Sequence, residues 1–168
     1  DAFGNAVVGR DVGGKYSYKV YDGLGRVRYE IDSLGGVTEQ VYDAFGNIQK
    51  TIRYGNAVAS ISGHTAGTPL SEANVATLRG VLDNMGTNKR ELTYTYDAQG
   101  RQTRVVEPSV YVYDSLTQTY ATKAPTTEKT YNAFGEVITQ RVLTGTGSTW
   151  ATNYLYYDKA GNKTAEVD

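Results

Sequence analysis

Tyr21-Asp22-Gly23-Leu24-Gly25-Arg26 and Tyr42-Asp43-Ala44-Phe45-Gly46-Asn47 carry one device twice: an aromatic residue, an acid, and a glycine three positions beyond the acid. Asp favours the first position of a type I turn because its side chain accepts a hydrogen bond from a backbone N–H two residues on. Gly favours the fourth, where φ is positive, a Cβ would clash, and a bulge leads the chain into the next strand. Each copy therefore predicts a hairpin loop. Tyr96-Asp97-Ala98-Gln99-Gly100-Arg101, Tyr131-Asn132-Ala133-Phe134-Gly135-Glu136 and Tyr157-Asp158-Lys159-Ala160-Gly161-Asn162 repeat it. Ile31-Asp32-Ser33-Leu34-Gly35 and Arg10-Asp11-Val12-Gly13-Gly14 are weaker copies, and Asp1-Ala2-Phe3-Gly4-Asn5 has the same pattern. Tyr113-Asp114-Ser115-Leu116-Thr117 lacks the Gly, which predicts an altered connection over 113–125, where Pro125 also sits.

Spacing adds to the motif. The acids at 1, 11, 22, 32 and 43 are separated by 10, 11, 10 and 11 residues, which is one strand of about six or seven residues plus a four-residue turn. Between turns the residues alternate, with Val27, Tyr29 and Ile31 on one face and Arg28 and Glu30 on the other. Tyr16, Tyr18 and Val20, then Ile48, Lys50, Ile52 and Tyr54, then Leu92, Tyr94 and Tyr96 follow the same period. Fifteen Tyr against three Phe fit rings that pack in rows while their hydroxyls reach water or a backbone carbonyl.

The rhythm breaks between Tyr54 and Asn88, so the chain divides into repeat strands over 1–54, an insertion over 55–88 and repeat strands over 89–168. Thr68-Pro69 has the form of an N-cap and first helical position, which predicts a short helix at about 69–84. Val75, Leu78, Leu82 and Met85 fall at helical spacing and would lie on the sheet, although Gly80 weakens the helix by about 1 kcal/mol. Thr144 to Thr149 has the composition of a longer flexible loop. The fold class is all-β, repetitive antiparallel hairpins with one helical insertion.

Composition narrows function. Seventeen Lys+Arg against eighteen Asp+Glu leave no cationic field for nucleic acid. A mean hydropathy of −0.47 with no long apolar run excludes a membrane-spanning segment within this stretch. No Cys means no disulfide framework and no thiolate nucleophile or metal ligand. The single histidine, His64, has no metal-ligating companion nearby and reads as a loop residue in solvent. Gly13-Gly14-Lys15 precedes a strand in place of a helix, which argues against a phosphate loop. The acids Asp22, Asp32, Asp43, Asp97 and Asp158 are read as turn caps ahead of acid–base pairs or calcium ligands, since a capping carboxylate already bonds its own backbone. No cofactor, metal or catalytic group is expected. Tyrosines recurring at strand ends, together with Trp150, are read as ladder packing ahead of sugar stacking. Only the 55–88 insertion and the 144–149 loop interrupt the repeat, which makes them the candidate interaction sites, 55–88 for a receptor or glycan.

The Tyr-Asp-x-x-Gly-[Arg/Asn] series resembles the YD repeats of RHS-repeat proteins, over nearly all of the chain outside about 55–88. The residues that carry the resemblance are Tyr21, Asp22 and Gly25; Tyr42, Asp43 and Gly46; Tyr96, Asp97 and Gly100; Tyr131, Asn132 and Gly135; and Tyr157, Asp158 and Gly161. That family includes bacterial polymorphic toxins, insecticidal toxin-complex shells, wall-associated proteins and teneurins. The resemblance implies a β-sheet that spirals into a hollow shell and, in the bacterial toxins, encloses a C-terminal toxin domain; secretion or a bacterial cell-surface location follows. The Asp-Pro-x-Gly-Leu string of the self-cleaving shell end is not in this sequence. Both ends of the chain are in phase with the repeat, which predicts a segment of a longer array whose bare strand edges associate. The implied role is a non-catalytic shell wall; the alternative is a surface adhesin or contact protein presenting loops to a receptor or glycan, with a glycan hydrolase third.

Overall fold

The computed structural model describes residues 1–58, 60–114, 118–144 and 149–168. The chain forms two compact units, Asp1–Asp43 with Ile48–Glu91, and Ala44–Asn47 with Leu92–Asp168.

In the first unit β1 (Val8–Arg10), β2 (Tyr16–Tyr21), β3 (Val27–Ile31), β4 (Val37–Tyr42) and β5 (Ile48–Tyr54) are neighbours in chain order and pair antiparallel. The motif turns set the register. Val20 faces Tyr29 but Tyr21 faces Val27, and Val41 faces Lys50 but Tyr42 faces Ile48, so one residue of each returning strand stands unopposed. This is the bulge that a left-handed glycine at the turn exit produces.

The alternation of β3 places Tyr29 and Ile31 on the face that meets α1 (Glu72–Asp83), while Arg28 and Glu30 stay exposed. Leu78 and Leu82 of the helix are buried against Tyr29, Ile31 and Val37, with Val75 and Met85 packed at the edge of that cluster. The expected helix face is the one that docks. Its start differs from the expectation. Ser71 is the N-cap: its Oγ accepts from the Asn74 N–H at 3.2 Å, and Asn74 Oδ1 accepts from the Ser71 N–H at 3.1 Å. Thr68 instead donates its hydroxyl back to the Thr65 carbonyl at 2.7 Å, which holds it in the preceding turn and leaves Pro69 outside the helix. The carboxylate of Glu39 is also on the covered face, because Glu39 pairs across from both Tyr29 and Ile52. It accepts the Tyr54 hydroxyl at 2.7 Å, with Arg28 at 3.6 Å.

β6 (Lys89–Tyr96) begins in the first unit and enters the second. There it is followed by β7 (Gln102–Val106), β8 (Val110–Asp114), β9 (Thr119–Lys123), β10 (Thr126–Tyr131), β11 (Val137–Thr144), β12 (Thr149–Tyr157) and β13 (Lys163–Val167). The spatial order is β6-β7-β10-β11-β12-β13. β7 pairs directly with β10, Val106 opposite Thr126, and the Glu107 N–H bonds to the Pro125 carbonyl at 2.8 Å. β8 and β9 pair only with each other, as a separate ribbon outside the main sheet. The connection expected to be altered over 113–125 is thus an excursion of a whole ribbon. The turn residues 115–117 lie outside the described residues, but the flanking pairs Tyr113–Tyr120 and Asp114–Thr119 run on without a bulge. At the other expected loop, β11 and β12 pair as far as Thr144 and Thr149, so the connection is confined to residues 145–148, which are outside the described residues.

Among the described residues every buried hydrophobic side chain belongs to the first unit; in the second, only Thr126 is buried. The second unit is held by its strand ladders and by cross-strand pairs such as Arg141 to Glu128 at 2.7 Å, with the Arg141 guanidinium 4.5 Å from the Trp150 ring. No helix is long and apolar enough to cross a membrane among the described residues.

Candidate functional site

The motif residues converge on one local structure. Asp22 Oδ1 accepts the N–H groups of Leu24 and Arg26 at 2.9 and 3.0 Å, while the Gly25 N–H bonds to the Asp22 carbonyl at 3.0 Å. Asp97 does the same with Gln99 and Arg101, Asn132 with Phe134 and Glu136, and Asp158 with Ala160 and Asn162. Asp43 stands at the corresponding place before Gly46, whose φ is +93°. The second side-chain atom of each cap reaches the residue after the glycine. Asp22 Oδ2 accepts from Arg26 Nε at 2.8 Å and Asp97 Oδ2 from Arg101 Nε at 2.7 Å. In the Asn132 turn the polarity reverses: the amide donates and Glu136 accepts, at 2.6 Å. That pairing explains why this one copy couples Asn with Glu where others couple Asp with Arg.

The tyrosines fasten each turn to another at the same end of the strands. Tyr21 donates its hydroxyl to the Ala6 carbonyl, Tyr42 to Val27, Tyr131 to Gln102 and Tyr157 to Val137, at 2.7–3.0 Å. In all four cases the accepting residue lies five positions after the capping residue of the other turn. Two of the clasps have a further layer. The Arg26 guanidinium lies 4.2 Å from the Tyr42 ring centre and that of Arg101 4.6 Å from Tyr131, and Arg101 also donates to the Asn132 carbonyl at 3.1 Å. Tyr96 occupies the equivalent place at the end of β6, where its pairing with Gln102 follows the bulge.

The same bonds set the electrostatics. For Asp22 partial burial would raise the carboxyl pKa, but the Arg26 guanidinium and the turn amides outweigh it and hold it below the usual carboxylate range. Asp97 is lowered likewise, burial being overcome by the Arg101 amide and side chain, and Asp158 chiefly by the Asn162 amide. Burial raises the Tyr42 phenol. A carboxylate whose acceptors are occupied by amides and a guanidinium has no proton to donate near neutrality and few lone pairs left for a metal. Among the described residues no three or more His, Asp or Glu side chains come together as a metal-binding group. The arrangement suits fastening strands.

The 55–88 insertion is fixed to the sheet. Val58 N–H bonds to the Gly35 carbonyl at 2.7 Å, Gly67 N–H to the Tyr18 hydroxyl at 3.1 Å, and Gly55 N–H to the Asn88 carbonyl at 2.9 Å. His64 is half-buried, its ring edge-on to Tyr18 at 4.9 Å and Nε2 2.9 Å from the Thr68 carbonyl, so it is a packing residue more than a solvent one. Beside α1 a cleft of about 860 Å³ opens, lined by Phe3, Val7, Val20, Leu24, Leu70 and Val75 among others. The clasps escaped sequence reading because their partners are 15 to 29 residues apart; the constant five-residue offset was the available signal.

No protein-family profile matches the sequence, and no curated protein matches it. Solved structures do. A crystal structure of TcdB2-TccC3-Cdc42 is similar over 90% of this chain and 7% of its own, at 16% identity and a TM-score of 0.33. One of TcdB2-TccC3 is similar over the same shares, at 16% identity and a TM-score of 0.35. One of TcdB2-TccC3-TEV is similar over 98% of this chain and 12% of its own, at 11% identity and a TM-score of 0.24. The chain therefore spans about a tenth or less of the structures it matches, and its resemblance to RHS/YD-repeat proteins is carried by the spaced Tyr-Asp-x-x-Gly turns on an all-β fold.

Proposed function

We propose that this chain is a structural, non-catalytic length of wall in an RHS/YD-repeat shell, secreted or displayed at a bacterial surface, with the rest of a longer chain and an enclosed toxin domain as its partners. The observation that supports this reading is the clasp, in which the tyrosine of a turn bonds the backbone beside another turn at the same strand end. Such a device ties strand pair to strand pair and suits a sheet that has to exclude what lies on its other side. The residues that carry the role are the tyrosines at 21, 42, 96, 131 and 157 with the turn pairs Asp22/Gly25, Asp43/Gly46, Asp97/Gly100, Asn132/Gly135 and Asp158/Gly161. Stretches 1–54 and 89–168 supply wall strands, and 55–88 covers the apolar face of the first. Negative-stain electron microscopy of the full-length parent polypeptide tests it. A compact hollow particle with internal density is expected; an extended fibre or open stalk would refute the shell.

A further inference from the structure

The tyrosines of this chain do different work. Tyr21, Tyr42, Tyr131 and Tyr157 of the motif give their hydroxyls to main-chain carbonyls, as above. Tyr111, Tyr113 and Tyr120 do not: among the described residues none of these three phenols makes a hydrogen bond, and the side chains are 73%, 51% and 60% exposed. All three project from the same face of the β8–β9 ribbon, since Tyr113 pairs across from Tyr120, and Tyr111 with Thr122 is one step along that face. The main sheet does not require the ribbon, because β7 closes directly onto β10 beneath it. Pro108 and Pro125 flank its base and stiffen the exit and return of the chain. Three large rings that neither fill a core nor brace the wall are placed as recognition residues are, on an excursion from a rigid support.

The chemistry of the face selects the ligand. Tyr111, Tyr113, Tyr120 and Thr122 offer ring surface and four hydroxyls and no cation or carboxylate, so the face has nothing to attract a phosphate, a sulfate or a basic peptide. The ring spacings decide between neutral ligands. Tyr111 and Tyr120 are stacked at 5.1 Å with planes 5° apart, and Tyr113 leans on Tyr120 at 5.0 Å and 53°. Rings in mutual contact leave no slot into which a proline could insert, as polyproline recognition requires. A ligand has to lie over the cluster, with an apolar C–H face for the rings and hydroxyls for the phenols. We propose that the tyrosine face of the β8–β9 ribbon is a binding site for a neutral carbohydrate chain. This stands apart from the shell reading and holds whether or not the wall closes.

The test is saturation-transfer NMR and calorimetry on the 168-residue chain with three neutral probes, cellohexaose, chitohexaose and mannohexaose, alongside decaproline and heparin. At least one neutral hexasaccharide is expected to bind, about tenfold more weakly after Tyr120→Ala or Tyr111→Ala, the size of one stacking contact. Tyr154→Ser, which removes an exposed ring of β12, should leave binding unchanged. Tyr120→Phe keeps the stack and separates the hydroxyl from the ring. If the alanine variants unfold, replacing residues 109–124 by a short turn supplies the second variant, with β7–β10 retained and binding lost. Absence of binding by all three hexasaccharides, binding indifferent to the ring substitutions, or capture of decaproline or heparin through these rings in their place would overturn the proposal.

Discussion

Leu78→Ala is expected to remove a central part of the apolar contact between α1 and the sheet of the first unit. Leu78 is fully buried, and beneath it are Tyr29, Ile31 and Val37, side chains of two strands that are each paired on both sides. Such a site cannot collapse around the missing atoms, so the loss belongs in the upper part of the range for buried Leu→Ala changes, about 3–5 kcal/mol. Helix propensity does not add to it, because Ala is the better helix former. For a cooperative unit of this size that loss lowers Tm by roughly 10 °C or more. The control is Leu24→Ala, a similar deletion at a turn tip that is 78% exposed, for which a change within about 0.5 kcal/mol is expected. Urea denaturation and thermal melts followed by far-ultraviolet circular dichroism measure both variants. If Leu78→Ala costs no more than Leu24→Ala, the helix does not cover the sheet and the account of the core is wrong. The same reasoning says that deleting 55–88 uncovers Tyr29, Ile31 and Val37 and unfolds the first unit.

Tyr42→Phe retains the ring under Arg26 and loses the hydroxyl's contacts with the Val27 carbonyl and Gln40 Oε1, so a loss of about 1 kcal/mol is expected by urea titration; no loss would remove the clasp from the account. Gly46→Val forces a β-branched residue to φ +93° and should lower stability by more than about 1 kcal/mol; an unchanged Tm would refute the turn geometry. Gly35→Ala faces both φ +84° and a collision with the Val58 carbonyl, so it should destabilise more than Gly25→Ala, where the space is open; equal melts would show that Val58 does not dock there. Asp22, Asp97 and Asp158 have lowered native pKa values, so their contribution is complete above the unfolded value of about 3.9 and is lost as pH falls through the native values. Melts should hold steady from pH 7 to 5 and decline below about pH 4, less steeply in Asp97→Asn; a decline centred above pH 5 would contradict the assignment.

Local chemistry was legible and long-range pairing was not. Asp22 and Gly25 determine their turn within five residues, so the turn can be read without knowing what lies beside it. The docking face of α1 is equally local, a matter of spacing among Val75, Leu78 and Leu82. The helix start was hidden because Asn74 fills the capping-box position usually held by Glu or Gln, while Thr68-Pro69 imitates a start three residues too early. The ribbon was hidden for another reason. Val110 to Asp114 and Thr119 to Lys123 have strand patterns like the rest, and only the pairing of Val106 with Thr126 expels them from the sheet. Glu39 also defied its type, since alternation with Val37 and Val41 places it on the covered face, where a tyrosine hydroxyl meets it.

The clasp also imposes a rule of parity on how such a chain can change. Strands that run alternately up and down put every second connection at the same end, and in each unit the Tyr-Asp-x-x-Gly copies occupy one end while the helix-bearing segment, the ribbon and the 145–148 connection occupy the other. A tyrosine reaches its carbonyl only if an even number of strands separates the two turns. Gain or loss of a single strand would send each later tyrosine to the wrong end and invert the faces of everything downstream, whereas a step of two strands, some 21 residues here, preserves both. Such an array can therefore lengthen in pairs and take on new segments at its unclasped end without disturbing the other.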